Sequence, residues 1–273
     1  MLNKIKSFAP NLGESWLLII IIVLGGGILG GVLALILSAI FPSVNSWISI
    51  FLYPVMFVPG FIYIYFRPVD KGEIVNKFPV NSYNFGKQGL FLSLLFTVPL
   101  ILAFNLVTEP LYSWMKMPQF IKELFEKMNE TTFISFLTVV IFAPLLEELF
   151  LRGIVLRGLL VHYSPKKAII WSAIIFGFMH LNPWQAVPAI LVGLLMGWIY
   201  YKTGSLLMTI FIHFINNGFS FLIMALLPSI SLESSYRDII PGNFYYVVFV
   251  VSIIYIAVTL TIMNKKYDKP LSN

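Results

Sequence analysis

Long apolar stretches dominate this 273-residue chain and restrict it to one class of fold. A helix of about 20 apolar residues crosses the hydrocarbon core of a bilayer, and only helices and closed barrels satisfy their backbone hydrogen bonds there. Charged residues make up 11% of the chain, whereas soluble domains carry about 25%. The sequence therefore predicts an all-α polytopic membrane protein.

Eight stretches have the length and apolar character expected of transmembrane helices. They cover residues 15–41, 44–66, 87–107, 132–161, 167–182, 184–201, 204–227 and 243–263. The fifth and sixth are short and closely connected, which predicts a hairpin. This pattern divides the chain into three N-terminal helices with an external connection (1–131), a core of four helices (132–227), and a final helix with a tail (228–273).

Lysine and arginine residues favour one orientation in the membrane, because cytoplasmic loops are enriched in both. With the N-terminus in the cytoplasm, four cations lie outside, namely Lys116, Lys122, Lys127 and Arg237. Thirteen then lie on the cytoplasmic side, namely Lys4, Lys6, Arg67, Lys71, Lys77, Lys87, Arg157, Lys166, Lys167, Lys202, Lys265, Lys266 and Lys269. We expect both termini in the cytoplasm and take the membrane to be a bacterial plasma membrane.

Several kinds of catalytic site are excluded by residue content. The chain has no cysteine, so disulfides, thiolate nucleophiles and cysteine metal sites are impossible. Asp70, Asp238 and Asp268 all lie in predicted loops or tails, which argues against an intramembrane aspartyl protease. Neither a G-x-S-x-G serine motif nor an H-E-x-x-H zinc helix occurs.

A small set of polar side chains nevertheless falls inside the predicted spans. It consists of Glu147, Glu148, Arg152, His180, His213 and Asn217. A charged side chain at mid-bilayer costs at least ~2.5–3.5 kcal/mol, so such residues indicate function by default. At about 1.5 Å per helical residue, three spans place their polar groups about 15–20 Å from the cytoplasmic edge. Their common depth predicts one shared site, nearer the cytoplasmic side.

Helix geometry suggests a chemical role for each of these groups. Glu148 and Arg152 are four residues apart on one helix face and can form an ion pair. Glu147 is turned about 100° away, so it is free to take a proton as a general base. His213 and Asn217 also share a face and can offer two donors to an oxyanion. The same residues could instead be a structural ion pair and hydrogen bonds between packed helices.

Three motifs occur in series in these spans. They are E-E-x-x-x-R at Glu147 to Arg152, F-x-x-x-H at Phe176 to His180, and H-x-x-x-N at His213 to Asn217. In order, spacing and placement they resemble the CPBP family, also called Abi or type II CAAX prenyl endopeptidases. The resemblance covers about residues 132–221.

The resemblance implies an eight-helix intramembrane protease and roles for each motif residue. Glu147 would activate water with the help of His180, and His213 and Asn217 would stabilise the oxyanion. Glu148 and Arg152 would orient the site. Some relatives are metalloproteases, and a zinc ion could be held by Glu147, His180 and His213. A mechanism without metal or other cofactor is favoured over this zinc alternative.

The partners expected on this interpretation are a peptide or membrane-protein substrate and the lipid bilayer, with no nucleic acid. Two other functions remain open. The chain could be a non-catalytic membrane scaffold or a bacteriocin-immunity protein, since the family includes members linked to self-immunity. Buried carboxylates and histidines also form proton relays in transporters, but the sequence has no visible inverted repeat.

Overall fold

Helices supply the secondary structure throughout the part of the chain that the computed structural model describes: residues 1–41, 45–68, 78–82, 85, 89–128, 133–227 and 234–267. In order they are α1 Leu2–Ser7, α2 Leu12–Ile40, α3 Asn45–Val55, α4 Val58–Phe66, α5 Gly89–Leu111, α6 Gln119–Met128, α7 Phe133–His162, α8 Pro165–Phe178, α9 Pro183–Thr203, α10 Leu206–Leu226, α11 Tyr236–Ile239 and α12 Phe244–Lys266. The predicted all-α class is confirmed.

Six of the described helices are long and apolar enough to cross a membrane, namely α2, α5, α7, α9, α10 and α12. The second predicted span is divided into α3 and α4 at Met56 and Phe57, just after Pro54. The fifth, α8, has 14 residues, which spans only about 21 Å at the helical rise. The chain is thus an integral membrane protein, and the count of eight spans stays a prediction.

The domain boundaries, the orientation and the type of membrane are not tested by the described residues. The predicted boundaries of the core, near residues 131 and 228, fall outside them, so the domain division stays a prediction. The orientation and the bacterial membrane also stay predictions.

The helix α7 lies at the centre of the core and carries the two glutamates. Its inner residues Phe150, Leu151 and Ile154 have no exposed surface. Two π-helical segments, Phe136–Phe142 and Leu151–Leu156, flank an α-helical segment, Ala143–Phe150. Since π segments widen the turn and shift the faces of a helix, they set the directions in which the glutamates project.

The N-terminal helix α1 is attached to α7 by a buried arginine. The guanidinium of Arg157, 1% exposed, donates hydrogen bonds to the carbonyl oxygens of Ile5, Lys6 and Phe8 at 2.5–2.7 Å. A cation is favourable there because the last carbonyls of a helix lack partners within it.

Large exposed apolar side chains cover the outer helices, as a bilayer requires. On α2, Leu35 is 76% exposed, and on α5, Phe91 is 76% exposed. Val247, Val251 and Ile254 on α12 are more than half exposed. These surfaces support the membrane assignment.

Candidate active site

The buried ion pair expected on α7 is present. Arg152 Nη1 donates to Glu148 Oε1 at 2.7 Å, and neither side chain has exposed surface. The guanidinium also donates to the carbonyl oxygen of Gly193 on α9 at 3.2 Å and lies 4.9 Å from the centre of the Phe176 ring on α8. Arg152 therefore joins three helices around Glu148.

His213 lies between the two glutamates. Its Nδ1 is 2.9 Å from Glu148 Oε1, and its Nε2 is 3.8 Å from Glu147 Oε2. An ionised carboxylate only accepts hydrogen bonds, so Nδ1 carries a proton toward Glu148. In the neutral ring Nε2 is then an acceptor, and it becomes a donor when His213 is protonated.

Glu147 projects away from this ion pair, as its position on the helix predicts. Its Oε1 accepts a hydrogen bond of 2.5 Å from the hydroxyl of Tyr53 on α3, and its side chain is 13% exposed. Tyr53 is not among the site residues predicted from the sequence. A tyrosine within an apolar span was the available signal, because a buried phenol usually finds a partner.

A cavity of about 330 Å³ lies beside these groups. Its lining includes polar, aromatic and aliphatic side chains, namely Asn105, Tyr112, Phe176, His180, Trp184, Gln185, Pro188, Ala189, Val192, His213, Asn216, Asn217, Ser220 and Tyr236. Three of the predicted site residues, His180, His213 and Asn217, thus share one cavity. Glu147 does not line it and meets the others through His213.

The cavity extends toward the end of the bundle where α5 ends and α9 begins. Tyr112 follows α5, Trp184 lies in the first turn of α9, and Tyr236 lies in α11. Burial raises the pKa of Tyr236 to about 12, with a smaller contribution from the Glu109 carboxylate. Burial likewise raises the pKa of Tyr112. Both phenols are therefore neutral hydrogen-bonding groups at this end of the cavity.

The end of α8 differs from the one expected from the sequence, while the depth of the site in the membrane stays a prediction. Counting residues from Lys167 assumed a helix as far as residue 182, but α8 ends at Phe178. His180 lies in the turn before α9, next to Leu181, whose φ of +56° is unusual for a residue other than glycine. The cavity thus opens toward the end that the charge bias assigns to the outside.

His180 is close to the cavity but does not bond to Glu147. Its Nδ1 is 3.0 Å from the carbonyl oxygen of Phe176. Because that carbonyl can only accept, Nδ1 carries the proton and Nε2 is the acceptor of the neutral ring. No hydrogen bond joins His180 to Glu147 among the described contacts, and the expected cooperation of the two residues stays a prediction.

Three asparagine amides form a further polar chain. Asn217 Nδ2 donates to the carbonyl oxygen of Val139, and Asn217 Oδ1 accepts from Asn216 Nδ2, at 2.9 and 3.1 Å. Asn216 Oδ1 accepts in turn from Asn105 Nδ2 on α5 at 2.8 Å. Asn105, a lone amide in an apolar span, is not among the site residues predicted from the sequence.

The donors do not form the zinc set considered from the sequence. Among the described residues, no group of three His, Asp or Glu side chains is placed to hold a metal ion. Glu147 and His213 approach each other, while Nδ1 of His180 is turned to a backbone carbonyl. Zinc stays a prediction.

Comparison with known proteins identifies the same region. Residues 129–219 match the family model described as Type II CAAX prenyl endopeptidase Rce1-like. The matched part contains all three motifs and covers α7, α8, α9 and much of α10. The resemblance stated from the motifs is confirmed, and it supports an intramembrane endopeptidase of CAAX type. No curated protein and no solved structure matches the chain.

Proposed function

We propose that this chain, whose residues 129–219 match the Rce1-like type II CAAX prenyl endopeptidases, hydrolyses a peptide bond of a membrane-associated or lipidated substrate with Glu147 as the base. One observation carries the proposal. His213 contacts both glutamates and lines the cavity that it shares with His180 and Asn217. Oriented imidazoles and an amide donor therefore border one space, and the base meets this space through His213.

Glu147 is suited to activate water. Tyr53 holds its Oε1, which leaves Oε2 facing His213. In the proposed reaction the Glu147 carboxylate takes a proton from water, and the hydroxide oxygen attacks the carbonyl carbon of the substrate. Collapse of the tetrahedral intermediate breaks the C–N bond, and the leaving amine takes the proton from Glu147. The carboxylate is restored, as general acid–base catalysis requires.

His213 and Asn217 supply the donors for the intermediate. A protonated His213 donates Nδ1–H to Glu148 and has Nε2–H available for the substrate oxygen. Asn217 adds an amide N–H from the next turn of α10. Donors already fixed before reaction stabilise developing charge without reorganisation.

Glu148 and Arg152 hold this arrangement. Arg152 keeps Glu148 ionised, and Glu148 fixes the ring of His213 through Nδ1. A carboxylate that orients a catalytic imidazole plays this part in the serine protease triad. His180, whose Nε2 is the acceptor, assists the water molecule from its own side of the cavity.

The experiment uses the purified full chain in proteoliposomes with internally quenched peptides, both farnesylated and unmodified. Glu147→Gln is expected to lower kcat by a factor of about 10²–10⁴, the usual contribution of a positioned base. Glu123→Gln, on the exposed face of α6, is the matched control and should cleave normally. Cleavage by Glu147→Gln at the wild-type rate would end the assignment of the base.

The same preparation tests the alternatives. If Glu147 works without metal, a chelator should leave the rate of cleavage unchanged. Stoichiometric zinc in the purified protein, together with cleavage that a chelator abolishes, would favour the metal-dependent mechanism. A separate test uses cells that lack the protein. If Glu147→Gln and His180→Ala each restore the phenotype of the wild-type gene, the protein acts as a scaffold.

A further inference from the structure

We propose that Asn105, on α5 and outside the family match, is a positioning residue that fixes the direction of the Asn217 amide through Asn216; this inference rests on the proposed function. Asn105 is 9% exposed and lies 111 residues from its partner in sequence. It also lines the cavity, but its amide donates to Asn216 and no bond joins it to either glutamate among the described contacts, so we assign its effect to the row of three amides.

The Val139 carbonyl gives the row of three amides its direction, and Asn105 holds that direction from the other end. The carbonyl oxygen of Val139 can only accept, so Asn217 must turn its Nδ2 toward it. Asn217 Oδ1 then faces Asn216, which must donate its own Nδ2. Asn216 Oδ1 is thereby left to accept from Asn105. The three amide orientations follow from hydrogen-bonding capacity alone.

The Val139 carbonyl is available because of the unusual backbone of α7. Within the π-helical segment the N–H of Ala143 donates to Thr138, five residues earlier. The same register would pair Val139 with residue 144, but Pro144 has no N–H to donate. The proline before the glutamates therefore leaves a free acceptor beside the cavity, and Asn217 occupies it.

Asn217 lines the cavity and uses only one of its two N–H groups on Val139. The second N–H is the donor proposed for the oxyanion. Rotation of the Asn217 amide would place two carbonyl oxygens together at Val139 and two NH₂ groups together at Asn216. Asn105 opposes this rotation because it already supplies the donor that Asn216 Oδ1 needs.

A double-mutant cycle in proteoliposomes separates an effect on positioning from an effect on folding. The quantities measured are kcat and KM for whichever quenched peptide the wild-type protein cleaves. Asn217→Ala should lower kcat about 10²-fold, as loss of an oxyanion donor does. Asn105→Leu should lower kcat about fivefold with KM unchanged, the size of one neutral hydrogen bond. The double variant should be no slower than Asn217→Ala, because Asn105 acts only through Asn217.

Two controls accompany the cycle. Thr97→Val removes a buried hydroxyl from α5 that bonds only within its own helix, and it should keep the wild-type rate. Asn105→Ala removes the amide without added bulk and should show the same non-additivity if the leucine variant folds poorly.

The results of these assays distinguish failure of the Asn105 role from failure of the proposed protease function. If Asn105→Leu or Asn105→Ala lowers kcat by the same factor in the Asn217→Ala background, or leaves kcat unchanged, the positioning role is overturned while the protease assignment stands. If the wild-type protein cleaves none of the peptides, the proposed function fails and the role of Asn105 fails with it.

Discussion

Replacing Arg152 by methionine should strongly lower the free energy of unfolding. Methionine keeps much of the apolar stem of arginine, so the loss of the positive charge, and not a new cavity, is the main cause. Both partners of the Glu148–Arg152 pair are fully buried and 2.7 Å apart. Removing the cation leaves the buried Glu148 carboxylate with the His213 ring as its remaining partner, and breaking a buried ion pair costs about 3–5 kcal/mol in comparable sites. The variant also loses the hydrogen bond to the Gly193 carbonyl and the contact with the Phe176 ring.

The measurement is the free energy of unfolding from titration with sodium dodecyl sulfate in mixed micelles. Glu148→Gln combined with Arg152→Met should recover much of the lost stability, because a neutral pair strands no charge. Lys202→Met is the matched control, since Lys202 is 8% exposed and its contact is with the Trp198 ring. Arg152→Met within about 0.5 kcal/mol of wild type, the range of ordinary surface substitutions, would refute the reasoning.

Three further predictions use other contacts. Gly26→Ala should lower the free energy of unfolding by about 1–3 kcal/mol, because its Cβ would overlap the carbonyl oxygen of Met56. Gly27→Ala should leave it unchanged, because no atom lies within 4 Å of the position that its Cβ would take. Tyr53→Phe should lower kcat about tenfold at unchanged KM, since a charge-assisted hydrogen bond to Glu147 is lost; an unchanged kcat would remove Tyr53 from the site. Donors at the start of α11 hold the pKa of Asp238 below its ordinary value, so this cap is intact above the ordinary pKa of aspartate and weakens as the pH falls through the lowered pKa. Hydrogen-exchange protection of α11, corrected for the intrinsic rate at each pH, that does not fall in acid would contradict this.

The part of the candidate site that could be predicted depends on local geometry. Glu148 and Arg152 face each other because residues four apart share one side of a helix, and the same rule places His213 and Asn217 together at the cavity. Membrane insertion followed from composition and run length. These inferences require only the helical repeat and the cost of burying charge in a bilayer.

The tertiary structure decided what lies around those residues. Tyr53 reaches Glu147 across 94 positions of sequence, and Asn105 reaches Asn216 across 111. No helical period links such pairs, because packing between separate helices chooses them. α8 ends at Phe178, so His180 lies in a turn, and the cavity is lined by residues from five helices and the segments between them. Composition and the helical repeat therefore determined the class and the polar pairs on single helices, whereas packing between helices determined which pairs meet and where the cavity opens.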